Sequence, residues 1–203
     1  MPSDSAAPME RFRGLHVPGR PLLMPNPWDQ GSARLLAHLG FAALATTSSG
    51  HAGTLGRLDG GVTRDEAIAH AAAIVAAVEV PVSADLENGF ADDPAAVAET
   101  VTAAVAVGLA GCSIEDFTRR GDEPIYPLGL AVDRVAAAAH AARAGTGLVL
   151  TARAENHLRG RADLADTIAR LQAYQQAGAD VLYAPGLARS TTSAGCASRW
   201  TGR

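Results

Sequence analysis

The chain has 203 residues, 48% of them hydrophobic but only 4% aromatic, and a formal net charge of −4. That length allows one domain, or one incomplete large domain, with a real core, while the absence of a basic block or interleaved aromatics argues against a nucleic-acid partner. The two cysteines, Cys112 and Cys196, lie far apart without metal-type spacing, which argues against a disulfide framework and a zinc site.

Met1–Pro8 is small, polar and proline-containing, and is expected to be disordered. Met1–Leu15 has no apolar signal-peptide region, and no later stretch is long enough without charges or breakers to span a bilayer. A soluble, cytoplasmic protein with no membrane partner is the expectation. Short apolar runs then alternate with longer alanine-rich stretches. The runs are Pro21–Met24, Ala42–Ala45, Pro81–Ala84, Gly111–Ile114, Leu148–Ala152 and Val181–Ala184. Continuously apolar or small, they read as strands buried on both faces. Between them, Gln30–His38, Thr63–Val78, Pro94–Val107, Val132–Arg143 and Leu164–Ala177 have helical length and composition. Asp65 and Glu66 sit where a helix amino terminus favours acids, and Gly40, Gly108, Gly145 and Gly178 each follow a helix as carboxyl-terminal caps.

Regular strand–helix alternation predicts an α/β fold with a parallel sheet. A doubly wound sheet would want a glycine-rich phosphate loop after the first strand, but the chain there reads Asn26-Pro27-Trp28-Asp29-Gln30-Gly31-Ser32. Polar residues instead recur after many strands, where a (β/α)8 barrel of the TIM type carries its active site. About six of the eight units are readable. The pattern stops after Leu187, and Ala188–Arg203 is rich in Ser, Thr, Gly and Arg. The predicted organisation is an incomplete barrel over 1–187, its last units missing through truncation or frameshift, and a disordered or non-native tail over 188–203.

The predicted strand ends supply Thr46-Thr47-Ser48-Ser49-Gly50 with Asp59 downstream, then Asp85-Leu86-Glu87-Asn88-Gly89, Glu115-Asp116 and Arg153-Ala154-Glu155-Asn156. Any one acid after a strand reads first as a cap or turn residue. Several converging on one rim repel each other unless a cation offsets them. Asp85 and Glu87, two apart, would share a face of a regular strand. Oxygen ligands without a His or Cys cluster suit Mg²⁺ or Mn²⁺ rather than zinc. Thr47, Ser48, Ser49 and Gly50 offer hydroxyls and backbone N–H groups to an anionic carboxylate, or form an ordinary turn. Arg153 is either an ion-pair partner of Glu155 or Glu115, or a fork for a substrate carboxylate or oxo group. His51 and His157 can titrate near neutrality, though the simpler reading gives neither a chemical role.

Taken together, Asn26–Ala33, Thr46–Gly50 with Leu55-Gly56 and Asp59-Gly60, Asp85–Gly89, Ser113–Asp116, Ala152–Glu155 and Ala177–Asp180 resemble the isocitrate lyase / phosphoenolpyruvate mutase (phosphonomutase) superfamily. The similarity runs from about Arg11 to Leu187. It implies a (β/α)8 barrel that binds Mg²⁺, or Mn²⁺, and cleaves or rearranges a C–C or P–C bond of a small 2-oxo or 2-hydroxy acid through a pyruvate-like enolate. Oxaloacetate and phosphonopyruvate are examples of such acids. Carried over by motif, Asp85 matches the main metal ligand, Glu87 a second acid and Glu115 an acid holding metal-bound water. Asp59 matches an acid near metal and substrate, Thr47, Ser48 and Ser49 fall in the carboxylate-binding segment, and Arg153 is the arginine at the reacting centre. The family also implies a homotetramer formed through carboxyl-terminal helices that are not readable here. One departure stands out: Glu115–Tyr126 lacks the Lys-rich cysteine motif of the lyase branches, which argues against isocitrate or methylisocitrate lyase activity. The alternative is a family member that keeps the site residues but, lacking the last units, does no chemistry.

Overall fold

In the computed structural model, which describes residues 6–145 and 147–187, helices and strands alternate almost regularly. The strands are β1 (Leu44–Ala45), β2 (Val82–Asp85), β3 (Gly111–Glu115), β4 (Val149–Arg153) and β5 (Val181–Tyr183). They form one parallel sheet in the order β1-β2-β3-β4-β5, so every strand pairs with its neighbours in the chain. Sequential parallel strands with helices between them belong to a partial barrel, not to a doubly wound sheet, whose strand order reverses.

The two faces of the sheet differ. Leu44, Val82, Ala84, Cys112, Ile114, Leu150 and Ala152 share a core with Ile74, Val101, Ala104, Val135 and Ala138 from the helices. Register puts the alternate residues Ser83, Gly111, Ser113, Val149 and Thr151 together on the other face. The runs expected to be apolar on both sides are therefore apolar mainly toward the helices.

The helices are α1 (Ala6–Leu15), α2 (Gln30–His38), α3 (Ser48–Thr54), α4 (Arg64–Val75), α5 (Pro94–Ala106), α6 (Leu128–Ala144) and α7 (Leu164–Gln176). Side-chain caps start four of the five predicted ones. Asp29 and Ser32 form a capping box on α2, Thr63 and Glu66 another on α4, and Asp93 and Asp163 cap α5 and α7. Gly40, Gly108 and Gly178 adopt the left-handed conformation of a terminal cap, whereas Gly145, at φ −89°, does not.

Three expectations need correction. Pro21–Met24 is not a strand: Pro21, Pro25 and Pro27 remove ladder donors, and the segment's link to β1 is a hydrogen bond from the Ala45 amide to the Pro25 carbonyl at 3.2 Å. Five strands, not six, therefore stand among the described residues. Ala6–Pro8 opens helix α1 and is not disordered, because Met9 and Phe12 bury against Ala43, Ala110 and Val149 at the amino-terminal ends of the strands. The predicted tail over 188–203, with Cys196, lies outside the described residues. Among the described residues no helix is long and apolar enough to cross a membrane.

Candidate active site at the carboxyl ends of the strands

Asp85, Glu115 and Arg153 are the last residues of β2, β3 and β4. Glu115 is register partner to Arg153 and Asp85 to Ser113, so all three side chains share the sheet face lined by Ser83 and Thr151. Arg153 is the hub. Its Nη1 donates to Asp85 Oδ1 at 3.3 Å, and its Nη2 lies 3.2 Å from Glu115 Oε2. Nη2 and Nε both donate to Glu155 Oε1, at 2.7 and 3.1 Å. The ion pairs expected with Glu155 and Glu115 thus both form, and Asp85 adds a third.

The electrostatics follow from crowding in a dry site. Burial works against the Arg153 charge, but Asp85, Glu115 and Glu155 outweigh it and raise its pKa above the ordinary arginine value. Glu115 is pushed up to about 8, first by burial and then by Glu155 and Asp85, with Arg153 pulling the other way. Behind the rim, Asp116 takes the Glu155 amide on Oδ1 at 2.8 Å, and on Oδ2 the Tyr174 hydroxyl at 2.5 Å and Arg170 Nη1 at 3.2 Å. That buried network ties α7 to the ends of β3 and β4.

Asp85 faces the other way as well. Its Oδ2 accepts Ser48 Oγ at 2.9 Å, and its amide donates to Thr46 Oγ1 at 3.0 Å. Ser48 opens α3, so the segment expected as a turn is a helix start. Thr47 is its N-cap, accepting the Gly50 amide at 3.3 Å and sharing a hydrogen bond with Ser49. Gly50 admits no side chain, since a Cβ there would meet Thr47 Cγ2 at 2.5 Å. Of the five predicted substrate-binding residues, Arg153 and Ser48 touch the acid cluster, while Thr47, Ser49 and Gly50 build the cap beside it.

Glu87 reaches Asp85 by a different route from the one expected. β2 ends at Asp85, and Glu87 has a left-handed backbone at φ 52°, so no common strand face joins the two. The Glu87 amide instead donates to Asp85 Oδ1 at 3.1 Å, and its buried carboxylate pairs with Arg119. Asp59 is not brought into the cluster. It stands in an exposed turn and acts on the site through the charge of Arg119, which donates to the neighbouring Gly60 carbonyl at 3.0 Å.

Thr47, Ser48, Asp85 and Glu87 line a cavity of about 10 Å³ together with His51 and His70. The two rings stack with centroids 3.7 Å apart and 12° between planes. Burial, then His51, holds His70 down at about 4. His157 lies apart, its amide bonded to Asn156 Oδ1. Cys112 is core, its thiol pushed up to about 12 by burial. Sequence reasoning missed His70, Arg119 and Arg134. None stands in a motif, and only tertiary packing brings them to the site.

The phosphoenolpyruvate phosphomutase family model matches residues 12–203. The chain belongs to this family. Within the isocitrate lyase / phosphoenolpyruvate mutase superfamily, a crystal structure from Burkholderia cenocepacia J2315, of a candidate lyase/mutase, is 52% identical with a TM-score of 0.94, covering 98% of this chain and 71% of that one. The crystal structure of 2,3-dimethylmalate lyase gives a TM-score of 0.86 at 27% identity, covering 98% and 69%. The 2,3-dimethylmalate lyase of Eubacterium barkeri is 29% identical over 85% of this chain and 61% of its own length. An uncharacterized protein of Mycobacterium tuberculosis (strain ATCC 25618 / H37Rv) is 36% identical over 86% of this chain, and the chain spans 64% of that relative's length. Family members include lyases and mutases of small acids, and the partial barrel of this chain carries three acids and Arg153 together at its strand ends.

Proposed function

We propose that this chain carries the site of a Mg²⁺-dependent lyase or phosphonomutase, on a (β/α)8-type scaffold. The site would break or rearrange a C–C or P–C bond of a small 2-oxo or 2-hydroxy acid. The observation that supports this most is the convergence of Asp85, Glu115 and Glu155 on one guanidinium at the ends of adjacent strands.

The donor set suits Mg²⁺. Among the described residues no three His, Cys, Asp or Glu side chains form a ready-made cage. Mg²⁺ characteristically takes one or two carboxylates and leaves its other positions to water and substrate. Burial, and then Glu155 and Asp85, raise the Glu115 carboxyl against the pull of Arg153, so a further cation at this rim would offset the crowding of acids. Asp85 would hold the ion, with Glu87 and Glu115 at its side. When bound, the ion supplies a Lewis acid for the substrate's carboxylate and carbonyl oxygens.

The chain's own residues do the rest. Ser48 orients Asp85 from the start of α3. The hydroxyls of Thr47 and Ser49, 3.3 Å from each other on either side of Ser48 in the chain, would meet the substrate carboxylate. As the bond at C3 breaks, its electron pair moves onto the carbonyl oxygen, and Arg153 offsets the charge developing there. Glu155 holds the guanidinium from behind, at Nε and Nη2, leaving Nη1 toward Asp85 and the rim.

The test is a panel of 2-oxo and 2-hydroxy acids, oxaloacetate and phosphonopyruvate among them, incubated with the chain with and without Mg²⁺. Smaller product acids, or for a rearrangement the isomeric phosphate ester, should form from at least one, and turnover should stop with a chelator and in Asp85→Ala. By calorimetric titration Asp85→Ala should bind no Mg²⁺ and Glu87→Ala should bind it more weakly. Turnover indifferent to both chelator and Asp85→Ala, or no turnover of any acid, would overturn the reading.

A further inference from the structure

The segment after β2 is held from an unexpected direction. Arg134, on α6, is 1% exposed, yet no carboxylate lies within ion-pair distance of it among the described residues. Its guanidinium instead donates to three backbone carbonyls of one short loop. Nη2 bonds the Asn88 carbonyl, and Nη1 bonds those of Ala91 and Asp92, the last at 2.8 Å. The same guanidinium lies 4.0 Å from the centroid of the Tyr126 ring. The Tyr126 hydroxyl joins the loop too, accepting from Asn88 Nδ2 at 3.2 Å and donating to the Asp92 carboxylate.

This loop needs holding. Glu87, Gly89 and Phe90 have φ values of 52°, 74° and 59°, so two residues with side chains adopt the left-handed backbone in a stretch of four. Such conformations persist only where the surroundings over-determine them. The Glu87 carbonyl accepts the Glu115 amide at 2.9 Å, and its own amide ends on Asp85, so the strained residue joins two of the rim acids. Arg134 also lies behind that rim, bordering the same narrow space as Glu115 and Arg153. A buried guanidinium is costly unless every donor is used, and here its donors fix one loop that carries a rim acid.

We infer that Arg134 is a positioning residue for the cation site: with Tyr126, it holds the Asn88–Asp92 loop so that Glu87 stays beside Asp85. The inference rests on the Mg²⁺ reading above. Lysine at this position keeps the charge but gathers its donors on one nitrogen, where the three carbonyls are met by a planar fork.

The test is Mg²⁺ titration of the whole chain as wild type, Arg134→Lys, Tyr126→Phe and Ile74→Val, with a melting curve for each. Ile74, 0% exposed near the carboxyl end of α4, packs in the core away from the rim, so its truncation should lower Tm and leave Mg²⁺ affinity within twofold of wild type. Arg134→Lys should raise the Mg²⁺ Kd by about tenfold or more, in the range that loss of supporting contacts costs a metal site. Tyr126→Phe, which keeps the ring and loses the hydroxyl bridge, should raise it less, and it decides alone should Arg134→Lys fail to fold. Wild-type Kd in the folded Arg134 or Tyr126 variants, or an equal rise in Ile74→Val, would overturn the positioning role. A wild-type chain that binds no Mg²⁺ would overturn both readings, and that failure shows in the wild-type arm alone.

Discussion

At the scale of single residues, the proposed chemistry turns on Arg153 and the acids that converge on it. Arg153→Lys keeps a positive charge but cannot reach Asp85, Glu115 and Glu155 at once with one ammonium. If the arginine stabilises charge that develops only as the bond breaks, kcat should fall by about 10²-fold or more, with KM changed less. Steady-state kinetics with a melting curve decides it: a lowered Tm with kcat near wild type would leave Arg153 a structural ion pair. Asp85, Glu115 and Arg153 were legible in the sequence because each directly follows an apolar run, and residues that end parallel strands face one rim. Glu87 was legible for a partly mistaken reason, since period-2 reasoning fails once the strand has ended and the backbone turns left-handed. Arg134 was not legible at all. An arginine in an alanine-rich helix reads as a solvated face, and only the path of a loop distant in sequence makes it buried.

Among the elements, the helices were the readable part, and the reason is chemical. Asp29, Thr63, Asp93 and Asp163 each place an oxygen over the first free amides of a helix, a signal contained within four residues. Helix α3 gave no comparable signal, because Ser48–Thr54 is short and its cap uses the residues expected to bind substrate. It is joined to α4 by the His51–His70 stack, and this contact should be sensitive to acid. His70 in the fold sits at about 4, below the usual 6.5, because of burial and then His51, with Asp29 opposing. The unfolded chain therefore takes up this proton first, and stability should fall as pH drops from about 6.5 toward 4. Glu66 continues the trend. Held at about 2 by Arg57 and by Thr63 of its capping box, it contributes stability above 4.5 that is lost as pH falls toward 2. Melting curves across this range should show both limbs, and His70→Phe, which keeps a ring to stack but cannot titrate, should flatten the upper one. An unchanged upper limb in that variant would dismiss the histidine pair as its source.

Over the whole molecule, the two ends of the sheet have different work. The carboxyl ends hold the acids and Arg153. The amino ends are closed by α1, whose Phe12 lies over Gly111, where a Cβ would meet the ring at 2.5 Å. Phe12→Ala should therefore cost about 3–5 kcal/mol of stability, as loss of a buried aromatic does, and leave kcat unchanged at temperatures where the variant is folded. Urea unfolding beside kinetics tests both halves, and a lost kcat with little lost stability would contradict the division. The order β1-β2-β3-β4-β5 has a further consequence, for how the chain is made. Because each of the described strands after β1 pairs with the one just before it, each can dock there as it leaves the ribosome. At about 5–20 residues per second, successive strands emerge seconds apart, so Asp85 would be set in place before Arg153, the residue that gathers the acids, had been synthesised.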